Sequence, residues 1–210
     1  LADQAAVDYE PAPELQAFLD AGEPPVYIGF GSMVSDDMGE TQRIVLEAVR
    51  RSGVRAIMAK GWGGTELPDT PNVYMADFVP HDWLFSKVKA VVHHGGAGTT
   101  AAGILAGKPT LVIPFGGDQP FWGNRVRQLG VGPKPIHRER LSVRRLTNAL
   151  NLLVSTKSYE VAAKELGQRM KNEDGDVLAV DVIEHELRKW LRQEGRPPIL
   201  VEAVQQSAEA

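Results

Sequence analysis

The sequence predicts an α/β domain, a doubly wound, Rossmann-like parallel sheet with helices on both faces. Two features of the sequence lead to this prediction. Short apolar runs alternate along the chain with longer segments in which apolar residues recur every three or four positions. The apolar runs also lack the polar–apolar alternation of a half-exposed strand, and continuous apolar runs are typical of parallel strands buried on both faces.

The strands and helices are assigned in order from these runs and from the residues that end them. Most of the segments begin or end at a glycine or a proline, because glycine ends helices and proline interrupts both helices and strands. The predicted strands are 26–30, 55–59, 73–79, 90–93 and 110–114. The predicted helices are 14–21, 40–52, a helix opened by 95–99 that runs to 106, 119–129, 143–154, 159–170 and 177–191, with a helical turn at 82–86.

The chain of 210 residues is long enough for one full domain with short extensions. We expect residues 1–24 to be a lead-in between domains, 25–191 to form the domain, and 192–210 to form a poorly packed tail. The net charge of −4 argues against non-specific binding of nucleic acid. The absence of cysteine excludes disulfides and thiolate chemistry. With neither a signal peptide nor a run of about 20 apolar residues in the sequence, we expect a cytoplasmic protein.

Glycines and polar residues collect where the predicted strands end. The loops concerned are 31–32, 60–64, 78–81, 93–100 and 115–119. Parallel sheets of this type bind ligands at the carboxyl ends of their strands, so these loops predict one ligand site.

The strongest local signal is HHGGAGTT at 93–100, which follows a strand and opens a helix. The first amides of a helix lack internal partners and lie at the positive end of its dipole, and glycines let a ligand approach them. The segment therefore predicts a cradle for a phosphate or diphosphate. A glycine turn with threonine capping is the structural alternative. His93 is expected to face the sheet interior, and no His, Asp or Glu spacing suggests a metal site.

Four segments together resemble the donor-binding signature of UDP-sugar-dependent glycosyltransferases with two Rossmann domains, the GT-B type. The segments are VYIGFGSM (26–33), FVPHDWLF (78–85), AVVHHGGAGTT (90–100) and PFGGDQPFW (114–122). The similarity covers about residues 24–186 and is greatest to the sterol 3-beta-glucosyltransferases. It implies that this chain is the carboxyl-terminal, donor-binding half of such an enzyme.

The resemblance also implies roles for individual residues. His94 would contact the donor diphosphate, with Ser32 supplying a hydroxyl nearby, and Asp118 with Gln119 would bind the sugar hydroxyls. The uracil would lie against Phe78, Val79 and His81, and the amides and hydroxyl of the helix start would hold the diphosphate: Gly96, Ala97, Gly98 and Thr99. Plant members carry a ribose-binding glutamate where this chain has Ala102, so the ribose contact must differ.

The activity implied by the resemblance is metal-independent, inverting transfer of glucose from UDP-glucose to a hydroxyl of an apolar acceptor such as a sterol. A flavonoid or other natural product is an alternative acceptor. The catalytic base and the acceptor site would lie on an amino-terminal partner domain, so this chain alone should be inactive. The alternatives from other classes are a regulatory nucleotide-binding module of the same fold and a nicotinamide-dependent oxidoreductase.

Two surface features leave alternatives open. The basic run 134–145 could contact anionic lipid at a membrane surface, or it could be a solvated helix start. Phe121 and Trp122 could face an apolar acceptor or the missing domain, or they could pack in the core. Trp62 could likewise cover the nucleotide or pack on the edge of the domain.

Overall fold

The structure is a computed structural model that describes residues 9–31, 38–60, 70–173 and 175–193. Ser32, Trp62 and the tail from 194 onward lie outside the described residues. The chain divides into two compact units, residues 1–170 and 171–210. The predicted extent of the donor-binding domain, 25–191, stays a prediction.

The first unit contains a parallel sheet whose strand order confirms the predicted doubly wound fold. Its strands are β1 (Val26–Gly29), β2 (Ala56–Ala59), β3 (Val73–Ala76), β4 (Ala90–His93) and β5 (Thr110–Val112). They lie in the order β3-β2-β1-β4-β5, and every neighbouring pair is parallel. The chain therefore winds outward from β1 in one direction and then, from β4, in the other. The crevice between the ends of β1 and β4 is the switch point at which such sheets bind ligands.

The helices follow the predicted segments closely. They are α1 (Pro13–Asp20), α2 (Met38–Ser52), α3 (His81–Lys87), α4 (Ala97–Leu105), α5 (Gln119–Gln128), α6 (Val143–Ser155), α7 (Lys157–Lys171) and α8 (Gly175–Gln193). The 19-residue α8 belongs to the second unit, and apolar side chains along it are exposed. None of the helices in the described ranges is both long enough and apolar enough to cross a bilayer.

Alternate residues of the central strands feed two separate cores, as the period of a strand requires. Val26, Ile28 and Phe30 enter a cluster with the buried faces of α2 and α6. Tyr27, between them, points to the opposite face and packs in a cluster with side chains of α1 and α3. Because both faces of the sheet are covered, the site must form at its edge.

One predicted segment differs from the structure. The strand predicted over 73–79 ends at Ala76, because the chain leaves the sheet at Asp77 and Phe78 and turns at Pro80 into α3. The basic run 134–145 contains a turn of 3₁₀ helix at Arg138–Arg140 and includes the start of α6 at Val143, the residue at which a helix was predicted to begin. Ser142 caps α6 by accepting the amide of Arg145.

Candidate functional site

A buried histidine shapes the glycine-rich loop after β4. His93 is fully buried, and its Nδ1 accepts a hydrogen bond of 2.9 Å from the amide of Gly95. This bond fixes the tautomer, because an accepting Nδ1 carries no proton. Burial lowers the pKa of His93 to about 3, so the ring is neutral at pH 7. His93 thus belongs to the interior and holds the loop, as expected from the sequence.

His94, the next residue, is clamped between two glycines. A Cβ atom built on Gly96 would lie 2.7 Å from His94 Nε2, and one built on Gly31 would lie 3.2 Å from His94 Cε1. Gly31 also has a φ of +58°, which favours glycine on backbone grounds. Only two glycines leave room for the imidazole here. The ring therefore lies in the crevice between the ends of β1 and β4.

The environment of His94 is poor in protein partners. Its Nδ1 is buried and has no hydrogen-bond partner among the residues that the structure describes. Burial lowers the pKa of His94, while the nearby Asp118 carboxylate raises it to a smaller extent. A buried polar atom without a partner is costly, and such an atom in a crevice indicates a ligand contact.

The first turn of α4 lies next to His94 and offers unpaired backbone donors. Gly96 is the N-cap residue, and no side chain caps the helix. Ala97 and Gly98 are exposed, and a Cβ on Gly98 would meet no atom within 4 Å. Thr100 donates its hydroxyl to the carbonyl of Gly96 at 2.8 Å, so it serves the helix itself. The half-buried Thr99 is the other hydroxyl of this turn.

A cavity of about 470 Å³ opens beside His94. Gly31 lines this cavity and is also one of the two glycines that clamp the His94 ring. The cavity is lined by Tyr27, Gly31, Ala59, Lys60, Ala76, Asp77, Phe78, Val79, Pro80, His81, Asp82, Leu84 and Ala102. Three predicted nucleoside contacts, Phe78, Val79 and His81, are therefore among the lining residues. Ala102, the position at which the family pattern is broken, lines the same space.

The aromatic residues of this cavity differ sharply in exposure. Phe78 is 83% exposed, so one face of its ring is open to solvent. His81 is packed instead, stacked on Phe85 with 4.5 Å between ring centroids and 3.4 Å from its Nε2 to the hydroxyl of Tyr27. Burial lowers the pKa of His81 and raises that of Tyr27 to about 12. Both groups are therefore uncharged at neutral pH.

An ion pair at the rim of the cavity was not found by sequence reasoning. Lys60 follows β2 and Asp77 follows β3, and their side chains form an ion pair of 2.8 Å. The pair raises the pKa of Lys60, mainly through the hydrogen bond to Asp77. The position of Asp77 directly after an apolar strand, at the ligand edge of the sheet, is the signal that could have found it.

Asp118 and Gln119 lie together at the start of α5, but their side chains have different surroundings. Asp118 is exposed and does not cap the helix; its Oδ2 accepts a bond of 2.8 Å from the Trp122 indole. Gln119 is buried, and its Oε1 accepts from the amides of Phe115 and Gly116 at 2.7 and 3.2 Å. Gln119 thus shapes the loop after β5, whereas the carboxylate of Asp118 faces solvent.

The loop that Gln119 shapes forms one wall of a second cavity, of about 520 Å³, which extends to Glu40 and Thr41 of α2. Phe121 is exposed next to this loop and packs edge-on against Trp122 at 5.1 Å between ring centroids. Core packing is therefore wrong for Phe121, while Trp122 is half-buried.

A third cavity, of about 490 Å³, lies along the basic run. Three cations, Lys134, Arg140 and Arg145, line it together with the apolar side chains of Ile136 and Leu152. The basic run thus forms an open groove with a partly apolar floor, which we call the basic groove.

The structure brings most of the predicted site residues to one edge of the sheet. His94 adjoins the 470 Å³ cavity through Gly31, and the Asp118 carboxylate is close enough to raise the pKa of His94. Ser32 and Trp62 lie outside the described residues. No group of three or more His, Asp or Glu side chains that could hold a metal ion occurs within the described ranges.

Comparisons with known proteins agree with this architecture. A family model, erythromycin biosynthesis protein CIII-like, C-terminal domain, matches residues 54–179. Sterol 3-beta-glucosyltransferase UGT80A2 of Arabidopsis thaliana is 49% identical over 177 residues, which are 83% of this chain and 28% of that protein. The sterol 3-beta-glucosyltransferase of Aspergillus terreus is 42% identical over 195 residues, covering 87% of this chain and 14% of that protein. The chain therefore spans less than a third of the length of these relatives.

Solved structures show the same fold. The glycotransferase of kitacinnamycin aligns with a TM-score of 0.68 at 25% identity, over 88% of this chain and 47% of that one. The calicheamicin glycosyltransferase CalG4 aligns with a TM-score of 0.66 at 21% identity, over 80% of this chain and 44% of that one. Because the family model matches more than half of its residues, the chain belongs to the erythromycin biosynthesis protein CIII-like C-terminal domains and has the fold of the C-terminal domain of GT-B glycosyltransferases.

Proposed function

We propose that this chain is the domain that binds the sugar donor, UDP-glucose, in a glycosyltransferase acting on a hydroxyl of an apolar acceptor. The observation that carries the proposal is the clamped His94, whose buried Nδ1 lacks a partner among the described residues beside the open start of α4. A diphosphate oxygen would supply that partner, and the first amides of α4 would bind the remaining charge. The relatives named sterol 3-beta-glucosyltransferases support glucose as the sugar and a sterol as the acceptor.

The rest of the donor would extend to both sides of this point. The 470 Å³ cavity is within the usual size range of small-ligand sites, about 300–1,000 Å³. Its exposed Phe78 offers a face on which a uracil ring can stack. The sugar would lie on the other side, near Asp118, whose carboxylate can accept from sugar hydroxyls. In this order, nucleoside, diphosphate and sugar would lie across the crevice between β1 and β4.

The chemistry that this half would contribute is stabilisation of the leaving group. When an acceptor hydroxyl attacks the anomeric carbon, the C–O bond to UDP breaks, configuration inverts and negative charge grows on the diphosphate. Helix amides aimed at that charge stabilise the transition state, and no metal ion is required for this. The base that takes the acceptor proton is expected on an amino-terminal partner domain. This chain alone would then bind donor and transfer little sugar.

Calorimetric titration of the chain with UDP tests the proposal. His94→Ala should weaken UDP binding by about 1–3 kcal/mol, since a buried or charge-assisted hydrogen bond is lost. The matched control is His185→Ala, because His185 is exposed on α8 in the second unit. Equal UDP affinity in the folded His94→Ala variant and the unchanged chain would refute the assignment.

The alternative of a regulatory nucleotide-binding module predicts a different ligand preference. Such a module would bind UDP and UDP-glucose equally, whereas a donor site should respond to the sugar. Tighter binding of UDP-glucose that depends on Asp118 would favour the transferase. Contact with a membrane surface is a further proposal; the basic groove supports it, because its cations and apolar floor complement an anionic lipid headgroup.

A further inference from the structure

The 470 Å³ cavity contains few polar groups that can recognise a sugar ring. The hydroxyl of Tyr27 and the imidazole of His81 lie deep in it and are within 3.4 Å of each other. Ala102 contributes only a methyl group. Among the described residues, the charged side chains that line the cavity are those of Lys60, Asp77 and Asp82.

A nucleoside in this cavity would present two features to the protein, a flat base and the adjacent 2′- and 3′-hydroxyls of its ribose. Phe78 offers an aromatic face for the base, as argued above. The two hydroxyls are hydrogen-bond donors, and an ionised carboxylate is an acceptor that can take both. Asp77 directly precedes Phe78, and both residues line the cavity.

The carboxylate of Asp77 forms an ion pair with the ammonium of Lys60. It joins the ends of two neighbouring strands, with 2.8 Å between Lys60 Nζ and Asp77 Oδ2. The side chains are 52% and 80% exposed, and pairs this exposed add little to stability. The consequence of the pair is therefore the orientation of the carboxylate. Lys60 Nζ donates to Oδ2 of Asp77, and Oδ1 retains lone pairs that can accept from further donors.

We propose that Asp77 accepts hydrogen bonds from the ribose hydroxyls of the bound nucleotide and that Lys60 positions its carboxylate. The chain would thereby select ribonucleotides over 2′-deoxyribonucleotides. Asp77 replaces, from the end of β3, the acceptor that Ala102 cannot provide from α4. This inference rests on the proposed function, since it assumes that the cavity receives the nucleoside of UDP.

The test compares the affinities for UDP and 2′-deoxy-UDP, measured by calorimetry on the same protein. The unchanged chain should bind UDP roughly tenfold more tightly, the ratio expected for one lost hydrogen bond to a charged group. In Asp77→Ala the two affinities should agree within about twofold, since the lost acceptor is the source of the ratio. Asp77 is exposed, so the variant should fold, and its melting temperature verifies this.

Asp82→Ala is the matched control. It removes a carboxylate from the rim of the same cavity, and with it the same charge near a bound diphosphate. The preference for UDP should persist in this variant. If the chain binds UDP but Asp77→Ala keeps the full preference, or Asp82→Ala loses it, the role of Asp77 is refuted while the proposed function stands. If the unchanged chain binds neither nucleotide, both are refuted.

Discussion

Acidification should destabilise the fold through His93. In the native state the pKa of this buried ring is lowered from 6.5 to about 3, mainly by burial. The unfolded chain therefore takes up a proton below pH 6.5 that the native chain does not bind. Stability is fully present above this pH and falls as the pH decreases toward 3. Within this window the free energy of unfolding falls by about 1.4 kcal/mol for each pH unit. His93 should therefore lower the free energy of unfolding by about 2 kcal/mol between pH 7 and pH 5.

Urea unfolding of the chain and of His93→Gln, each at pH 7 and pH 5, measures this cost. Glutamine retains an acceptor for the Gly95 amide but has no proton to gain in this range. The variant should be less stable at pH 7, yet lose about 2 kcal/mol less on acidification than the unchanged chain. His185→Gln, an exposed histidine, should leave the pH dependence unchanged. An equal loss on acidification in the chain and in His93→Gln would refute the reasoning.

Four further predictions concern the ligand. Gly96→Ala should weaken UDP binding about tenfold, because the added methyl group displaces the clamped imidazole of His94. The fold should stay intact, since the backbone φ of −61° suits alanine. An unchanged UDP affinity by calorimetry would contradict the clamp. Asp118→Ala should reduce UDP-glucose affinity by about 1–3 kcal/mol and leave UDP affinity nearly unchanged. Trp122→Phe controls for the lost indole bond, and equal losses for both ligands in Asp118→Ala would refute the sugar contact. A chelator should not change UDP affinity, and a loss that Mg²⁺ or Mn²⁺ restores would count against binding by helix amides. The double variant Arg140→Glu with Arg145→Glu should abolish sedimentation with phosphatidylserine vesicles, because each cation contributes about 1 kcal/mol of membrane-binding free energy. If the unchanged chain does not sediment with the vesicles, membrane contact by the basic groove is refuted.

The fold could be predicted from the sequence because each of its elements carries a local signal. The strands are continuous apolar runs, and every one of them was placed within a few residues of its observed position. The error at 77–79 has a physical cause. Phe78 and Val79 continue the apolar run of β3, but Phe78 is exposed at a cavity rim, where apolarity indicates a binding face and not a strand.

The site was predicted less completely, because contacts between loops depend on the packing of distant strands. The segment 93–100 is local in sequence, and its glycines were enough to predict a phosphate cradle there. The clamp on His94 is not local, since one of its two glycines follows β1 and lies 63 positions earlier in the chain. The pairing of Lys60 with Asp77 likewise depends on β2 and β3 being neighbours. The sequence also did not distinguish the roles of Asp118 and Gln119. In the structure the two side chains differ in burial.

The electrostatics of the cradle explain how this half could favour the transition state over bound donor. Burial lowers the pKa of His94, so the imidazole is neutral at pH 7 and can donate without carrying a charge. The start of α4 acts as only about half a positive charge. Under the proposed function, the attraction of these groups for the diphosphate of a bound donor would therefore be moderate. As the bond to the sugar breaks and a further negative charge develops on the diphosphate, the same fixed amides would interact more strongly with it. Interactions that strengthen in the transition state raise the rate, whereas a full cation would also tighten the ground state.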